Sequence, residues 1–122
     1  MDRPSYKEIN RKIKQAKEAL SENEFSALNP VIIAADALGL GIDLRNISYI
    51  LIDLLEEITP NHYVGQYPPQ RSYEHEIEGY ELLAFRWLSK KLGCKVYLKF
   101  TIKGTKMWLV SLHEDRREGE RE

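Results

Sequence analysis

The chain contains one cysteine, Cys94, so it can form no internal disulfide and can build no multi-cysteine metal site. Nothing in it asks for an oxidising compartment. No apolar run approaches the roughly 18 residues that a membrane span requires. The N-terminal apolar residues are spaced rather than consecutive, unlike a secretory signal. These absences predict a cytoplasmic protein with no membrane partner. Of the three histidines, His62 and His75 stand 13 residues apart with no partnering cysteine, which is poor spacing for a metal site. No metal and no cofactor are expected. Internal repeats are absent, and low-complexity sequence is confined to the charged C-terminal end.

Acid is missing from one long stretch. Between residues 82 and 113 there is no Asp or Glu, while Arg86, Lys90, Lys91, Lys95, Lys99, Lys103 and Lys106 give that segment a net charge of +7. Residues 43–81 carry the opposite bias, with eight acids against Arg45 and Arg71, a net of −6. The whole-chain charge of −1 conceals this segregation. A basic block within one segment is the footprint of a surface that meets phosphates. A solvated basic hairpin would read the same way.

With 43% apolar and 30% charged residues, the composition is that of a globular protein. Residues 1–114 read as one domain, and residues 115–122 as a charged, frayed tail. Ser5 and Glu8 form a capping-box pattern ahead of a stripe of Tyr6, Ile9, Ile13, Ala16 and Leu20, which predicts a core-facing helix. Asn29-Pro30 starts a second helix, through Val31, Ile32, Ala35 and Leu38, which Gly39 ends. A third, capped by Asp43 or Asn46, carries Ile47, Ile50, Leu51, Leu54, Leu55 and Ile58 and stops at Pro60. Residues 60–76 read as an irregular loop, long enough to be functional or mobile. Tyr63, Tyr67 and Tyr73 with Arg71 suit either base stacking or a packed lid there. Strand pattern begins near Tyr80, and Trp87 and Trp108 are most simply core.

The two cleanest strands are Lys95–Ile102 and Met107–His113. Alternation places Val96, Leu98, Phe100 and Ile102 on one face, opposite Trp108, Val110 and Leu112. A three-residue loop of Gly104, Thr105 and Lys106 then pairs Phe100 with Val110 and Leu98 with Leu112. On the other face it pairs Lys99 with Ser111 and Tyr97 with His113. That face gathers groups able to move protons and neutralise phosphate, although exposed sheet faces are ordinarily polar.

In order and spacing, Ala35-Asp36-Ala37-Leu38-Gly39-Leu40 with Asp43, the helix end Ile50–Leu55, Val96-Tyr97-Leu98-Lys99 and Val110-Ser111-Leu112-His113-Glu114 resemble the MqsR family. That family belongs to the RelE-like mRNA interferases. The resemblance covers roughly residues 25–114 and is weakest over 60–90. It implies an α+β fold, with N-terminal helices packed on a small antiparallel sheet. It also implies metal-independent cleavage of mRNA, giving a 2′,3′-cyclic phosphate, and a cognate antitoxin protein as partner. Tyr97 matches the family's functional tyrosine, and His113 stands where a lysine commonly closes the last strand. The family's lysine after the third helix falls on Val64, and its glutamine near Ala84 to Arg86. The expected catalytic residues are therefore Tyr97, Lys99, His113 and Arg86, with Lys90, Lys91, Lys95, Lys103 and Arg71 meeting RNA. The alternative keeps the fold without the chemistry, as an RNA- or protein-binding module.

Overall fold

The computed structural model describes residues 3–115, and residues 116–122 of the expected tail lie outside them. The fold is α+β. Three α-helices, α1 (Tyr6–Ser21), α2 (Pro30–Gly39) and α3 (Ile47–Glu57), precede most of a four-stranded sheet. Its strands are β1 (Phe25–Ala27), β2 (Leu83–Ser89), β3 (Cys94–Lys103) and β4 (Lys106–Glu114), in the order β1-β4-β3-β2. Among the described residues, no helix is long and apolar enough to cross a membrane.

Local sequence explains the helices. Ser5 Oγ accepts from the Glu8 amide at 3.1 Å while Glu8 Oε1 accepts from the Ser5 amide at 3.2 Å, satisfying donors that the first turn of α1 leaves free. Ile9, Ile13, Ala16, Ala19 and Leu20 are buried. Tyr6, the first member of the expected stripe, is 61% exposed, so the buried face starts one turn later. In α2, Ile33 and Ala37 enter the core while Val31, Ile32 and Leu38 remain exposed. Asp43 caps a 3₁₀ turn at Leu44–Asn46, and Asn46 occupies the N-cap position of α3 without a side-chain bond. Leu51, Leu54 and Leu55 of α3 are fully buried.

Three expectations need correction. First, the sheet is mixed, because β1 runs parallel to β4 and pairs Phe25 with Met107 and Ala27 with Leu109. A three-residue strand is too short to carry a period, which is why its sequence betrays nothing. Second, residues 60–76 are irregular as expected but packed and hydrogen-bonded rather than loose. Thr59 caps a 3₁₀ turn at Pro60–His62, Tyr63 is buried edge-on to Tyr67 and Phe85, and the Val64 amide donates to Ala84 O at 2.9 Å. Ser72 and Gln70 hydrogen-bond to Tyr80 and Leu82, so β2 starts only at Leu83.

Third, the hairpin has another register. Tyr97 pairs with His113, Leu98 with Leu112 and Lys99 with Ser111, but Phe100 pairs with Leu109 and Lys103 with Lys106. The turn is therefore the two residues Gly104 and Thr105, with φ +64° at Gly104, the glycine-first pattern of a type II′ hairpin. Val110 is the extra residue of a β-bulge, which shifts the phase between Ser111 and Leu109. Met107 and Leu109 are buried in place of Trp108 and Val110, and Leu112 still points inward. Trp108 is accordingly not a core residue. Trp87 is, and its Nε1 donates to Glu57 Oε1 at 2.9 Å.

Candidate functional site

The sheet packs its inner face on the helices through Phe85, Val96, Leu98, Phe100, Met107, Leu109 and Leu112. Strand alternation therefore turns Arg86, Tyr97, Lys99, Ser111 and His113 to the other face. Arg86 lies opposite Tyr97 across β2 and β3, and Tyr97 opposite His113 across β3 and β4. The three side chains touch in that order. The Arg86 guanidinium carbon lies 5.6 Å from the Tyr97 ring centroid, within cation–π range. The Tyr97 and His113 rings stack with centroids 5.2 Å apart and planes at 26°. The bulge at Val110 keeps Ser111 and His113 on this face while the inward residues change phase.

Protonation follows from the contacts. His113 Nδ1 lies 3.0 Å from Glu114 O. A carbonyl oxygen only accepts, so Nδ1 is the donor in this bond, and in the neutral ring Nε2 carries the lone pair. Burial pushes the Tyr97 hydroxyl above the ordinary tyrosine range, Arg86 pulls it back in part, and Asp115 pushes it up again. At neutral pH Tyr97 is thus a phenol, a proton donor rather than a base. Burial likewise raises the Cys94 thiol, with Glu114 adding to it, which removes Cys94 as a thiolate nucleophile.

Beside Tyr97, a hollow of about 230 Å³ is lined by Val64, Gly65, Gln66, Gln70, Leu82, Ala84, Tyr97 and Lys99. Val64 thus shares a hollow with Lys99, which carries a cation there. Gln66 and Gln70 escaped sequence reasoning because they belong to the irregular segment. A larger hollow between α1 and the β3–β4 turn is lined by Glu18, Glu22 and Glu24 and does not reach the cluster.

The remaining expected contacts are dispersed. Lys95 is exposed on the face shared with Tyr97, and Lys90 is exposed in the β2–β3 turn. Lys91 turns back to Asp53 at 2.8 Å. Lys103 Nζ donates to Glu76 O at 2.6 Å and lies 5.7 Å from the Tyr80 ring centroid. Arg71 lines a separate hollow with Lys12, Tyr80 and Glu81.

One group that the sequence placed in a frayed tail lies in the cluster. Asp115 Oδ2 meets Arg86 Nε at 2.6 Å, and the Asp115 amide donates to Lys95 O at 2.9 Å. The contact to Nε is short but lies off the N–H axis, so charge rather than an aligned hydrogen bond holds it. Its only advance signal is that Asp115 and Glu114 are the first acids after the acid-free block. Among the described residues, no three His, Cys, Asp or Glu side chains converge as a metal site requires.

No family model matches this chain, and no curated protein does.

Proposed function

We propose that the chain is an endoribonuclease of the mRNA-interferase kind, the toxin of a toxin–antitoxin pair. The observation that carries this reading is the contact series Arg86–Tyr97–His113, with Lys99 alongside, on a sheet face that the helices leave open. Cleavage by an internal nucleophile needs a base, an acid and cations, and each has a candidate here. His113 takes the proton of the ribose 2′-hydroxyl as its oxygen attacks the adjacent phosphorus. The bond from phosphorus to the 5′-oxygen breaks, and Tyr97 protonates that departing oxygen. Lys99 and Arg86 hold the charge that builds on the phosphorane oxygens. The products are a 2′,3′-cyclic phosphate and a 5′-hydroxyl, and solvent returns the two proton carriers to their starting states.

In this reading an antitoxin is the protein partner, consistent with the uncovered Val31, Ile32 and Leu38 of α2. The test is incubation of the purified protein with an end-labelled mixed-sequence RNA in EDTA, followed by mapping of fragment ends. Discrete fragments with cyclic phosphate ends, lost in Tyr97→Phe and in His113→Ala, are expected. RNA that stays intact while binding would leave a binding module on the same fold, the reading that the ion pair of Asp115 with Arg86 favours.

A further inference from the structure

The type II′ turn and the bulge at Val110 together place Met107 and Leu109 in the core and Trp108 on the opposite face. A tryptophan offers more apolar area than either residue buried in its stead, yet it is only partly buried and lies outside the core cluster. It pairs with Thr101 on β3 and so shares the face of Tyr97, Lys99 and Ser111. Thr101 itself is buried, its hydroxyl bound to Glu81 O, so Trp108 and not its cross-strand partner offers an aromatic surface at this end. Lys106 Nζ lies 5.1 Å from the Trp108 ring centroid, and the indole Nε1 is buried without a hydrogen-bond partner, which leaves the ring face as the part of Trp108 open to a ligand. Aromatic ring and ammonium form the pair of groups that binds an unpaired base and its phosphate.

We infer that Trp108 and Lys106 form a stacking subsite for an unpaired base of single-stranded RNA, separate from the cluster at Tyr97. Thr101, the cross-strand partner of Trp108, lies four residues from Tyr97 along β3, about 13 Å at a strand rise of ~3.3 Å per residue. A strand of a few nucleotides spans that distance along one face, passing Lys99 and Ser111. Residues 82–113, which contribute most of the face, contain no acid, and Lys106 and Lys99 on this path attract the backbone phosphates, while Asp115 meets Arg86 at its far end. A base on the indole displaces the Lys106 ammonium, which then meets phosphate. A duplex cannot use the subsite, because its bases are stacked on one another. That the ligand is RNA rests on the function proposed above.

Tryptophan fluorescence of the full chain tests the inference without any substitution. Trp87 is buried and bonded to Glu57, so a ligand-dependent change reports on Trp108. The probe is a mixed-sequence single-stranded oligonucleotide, 2′-O-methylated throughout so that it cannot be cleaved. Saturable quenching is expected, with little from a duplex of the same sequence. Trp108→Leu should bind this probe roughly 5- to 150-fold more weakly, the equivalent of ~1–3 kcal/mol per stacked base, while Trp108→Phe retains most of the affinity. Cleavage of unmodified RNA without quenching by the probe would overturn the subsite and leave the nuclease intact. Trp108-dependent quenching without cleavage would do the reverse. Equal quenching by duplex and single strand would also overturn the subsite.

Discussion

Removing the charge of Asp115 frees Arg86, and the consequence for RNA is calculable. The two side chains are 9% and 25% exposed, so their attraction is screened less than that of a surface pair. At an effective dielectric near 20, unit charges about 4 Å apart attract by about 4 kcal/mol, from which the desolvation of both groups is subtracted. A net of ~1–3 kcal/mol is reasonable for such a charged contact. Any phosphate that takes Arg86 must first displace this carboxylate, so on the proposed function RNA would bind roughly 5- to 150-fold more weakly than to an unpaired arginine. Asp115→Asn keeps the shape and removes the competitor. Its affinity for a single-stranded RNA at low salt should rise by about tenfold. The dependence of log affinity on log salt should steepen by about 0.7, the value for one more neutralised phosphate on a single strand. The same substitution should lower stability by about 1–2 kcal/mol, since the native state loses an ion pair. Filter binding across a salt series together with urea denaturation measures all three quantities. An unchanged salt slope, or weaker binding, would refute the reasoning and make Asp115 a staple that holds Arg86 against Tyr97.

Two further perturbations test the frame beneath the site. Burial alone would raise the Glu57 carboxyl, but donors from Trp87, Ser89 and the amides of Lys91 and Lys90 hold it below the usual carboxylate range. Its contribution to stability is therefore present above the unfolded pKa and lost as pH falls through the lower folded value. Glu57→Gln should cost ~1–3 kcal/mol at neutral pH, because its amide NH₂ would face one of those donors. The deficit should shrink with acidification, and a pH-independent deficit in urea denaturation would contradict the assignment. Gly65→Ala should destabilise by ~1–3 kcal/mol, since a Cβ there would lie 2.5 Å from Tyr63 Oη and 2.7 Å from Cζ. The Tyr63 ring cannot retreat, being buried against Phe85 with its hydroxyl bound to Gln66 O. Its own ionisation is pushed up to about 12, chiefly by that burial. A thermal midpoint equal to that of the unsubstituted protein would show that the ring moves freely.

What the sequence disclosed follows the range of the interactions involved. Helix starts are written in contiguous residues, so the Ser5–Glu8 box and the sites at Asn29-Pro30 and Asp43 are legible directly. The pairing of Tyr97 with His113 is legible for a less direct reason. Two errors in the hairpin cancel, because a turn one residue shorter than expected is offset by the extra residue at Val110. The pairs distal to the bulge come out right, while those between bulge and turn do not. Met107-Trp108-Leu109-Val110 is apolar at every position, so hydrophobicity cannot say which face is inward. Context decides it. Gly104 favours the two-residue turn, and β1, itself invisible to any periodicity, pairs with Met107–Leu109 along the free edge of β4. Arg86 reaches Tyr97 because β2 and β3 form a hairpin, whereas Asp115, Gln66 and Gln70 reach the site through the chain's end and an irregular segment. No local pattern specifies contacts of that kind. They depend on Tyr63 filling the space beside Phe85 and on the Lys95 carbonyl receiving the Asp115 amide. Asp115, Gln66 and Gln70, which modify the polarity that Arg86, Lys99 and His113 establish, are thus the site residues whose positions only packing determines.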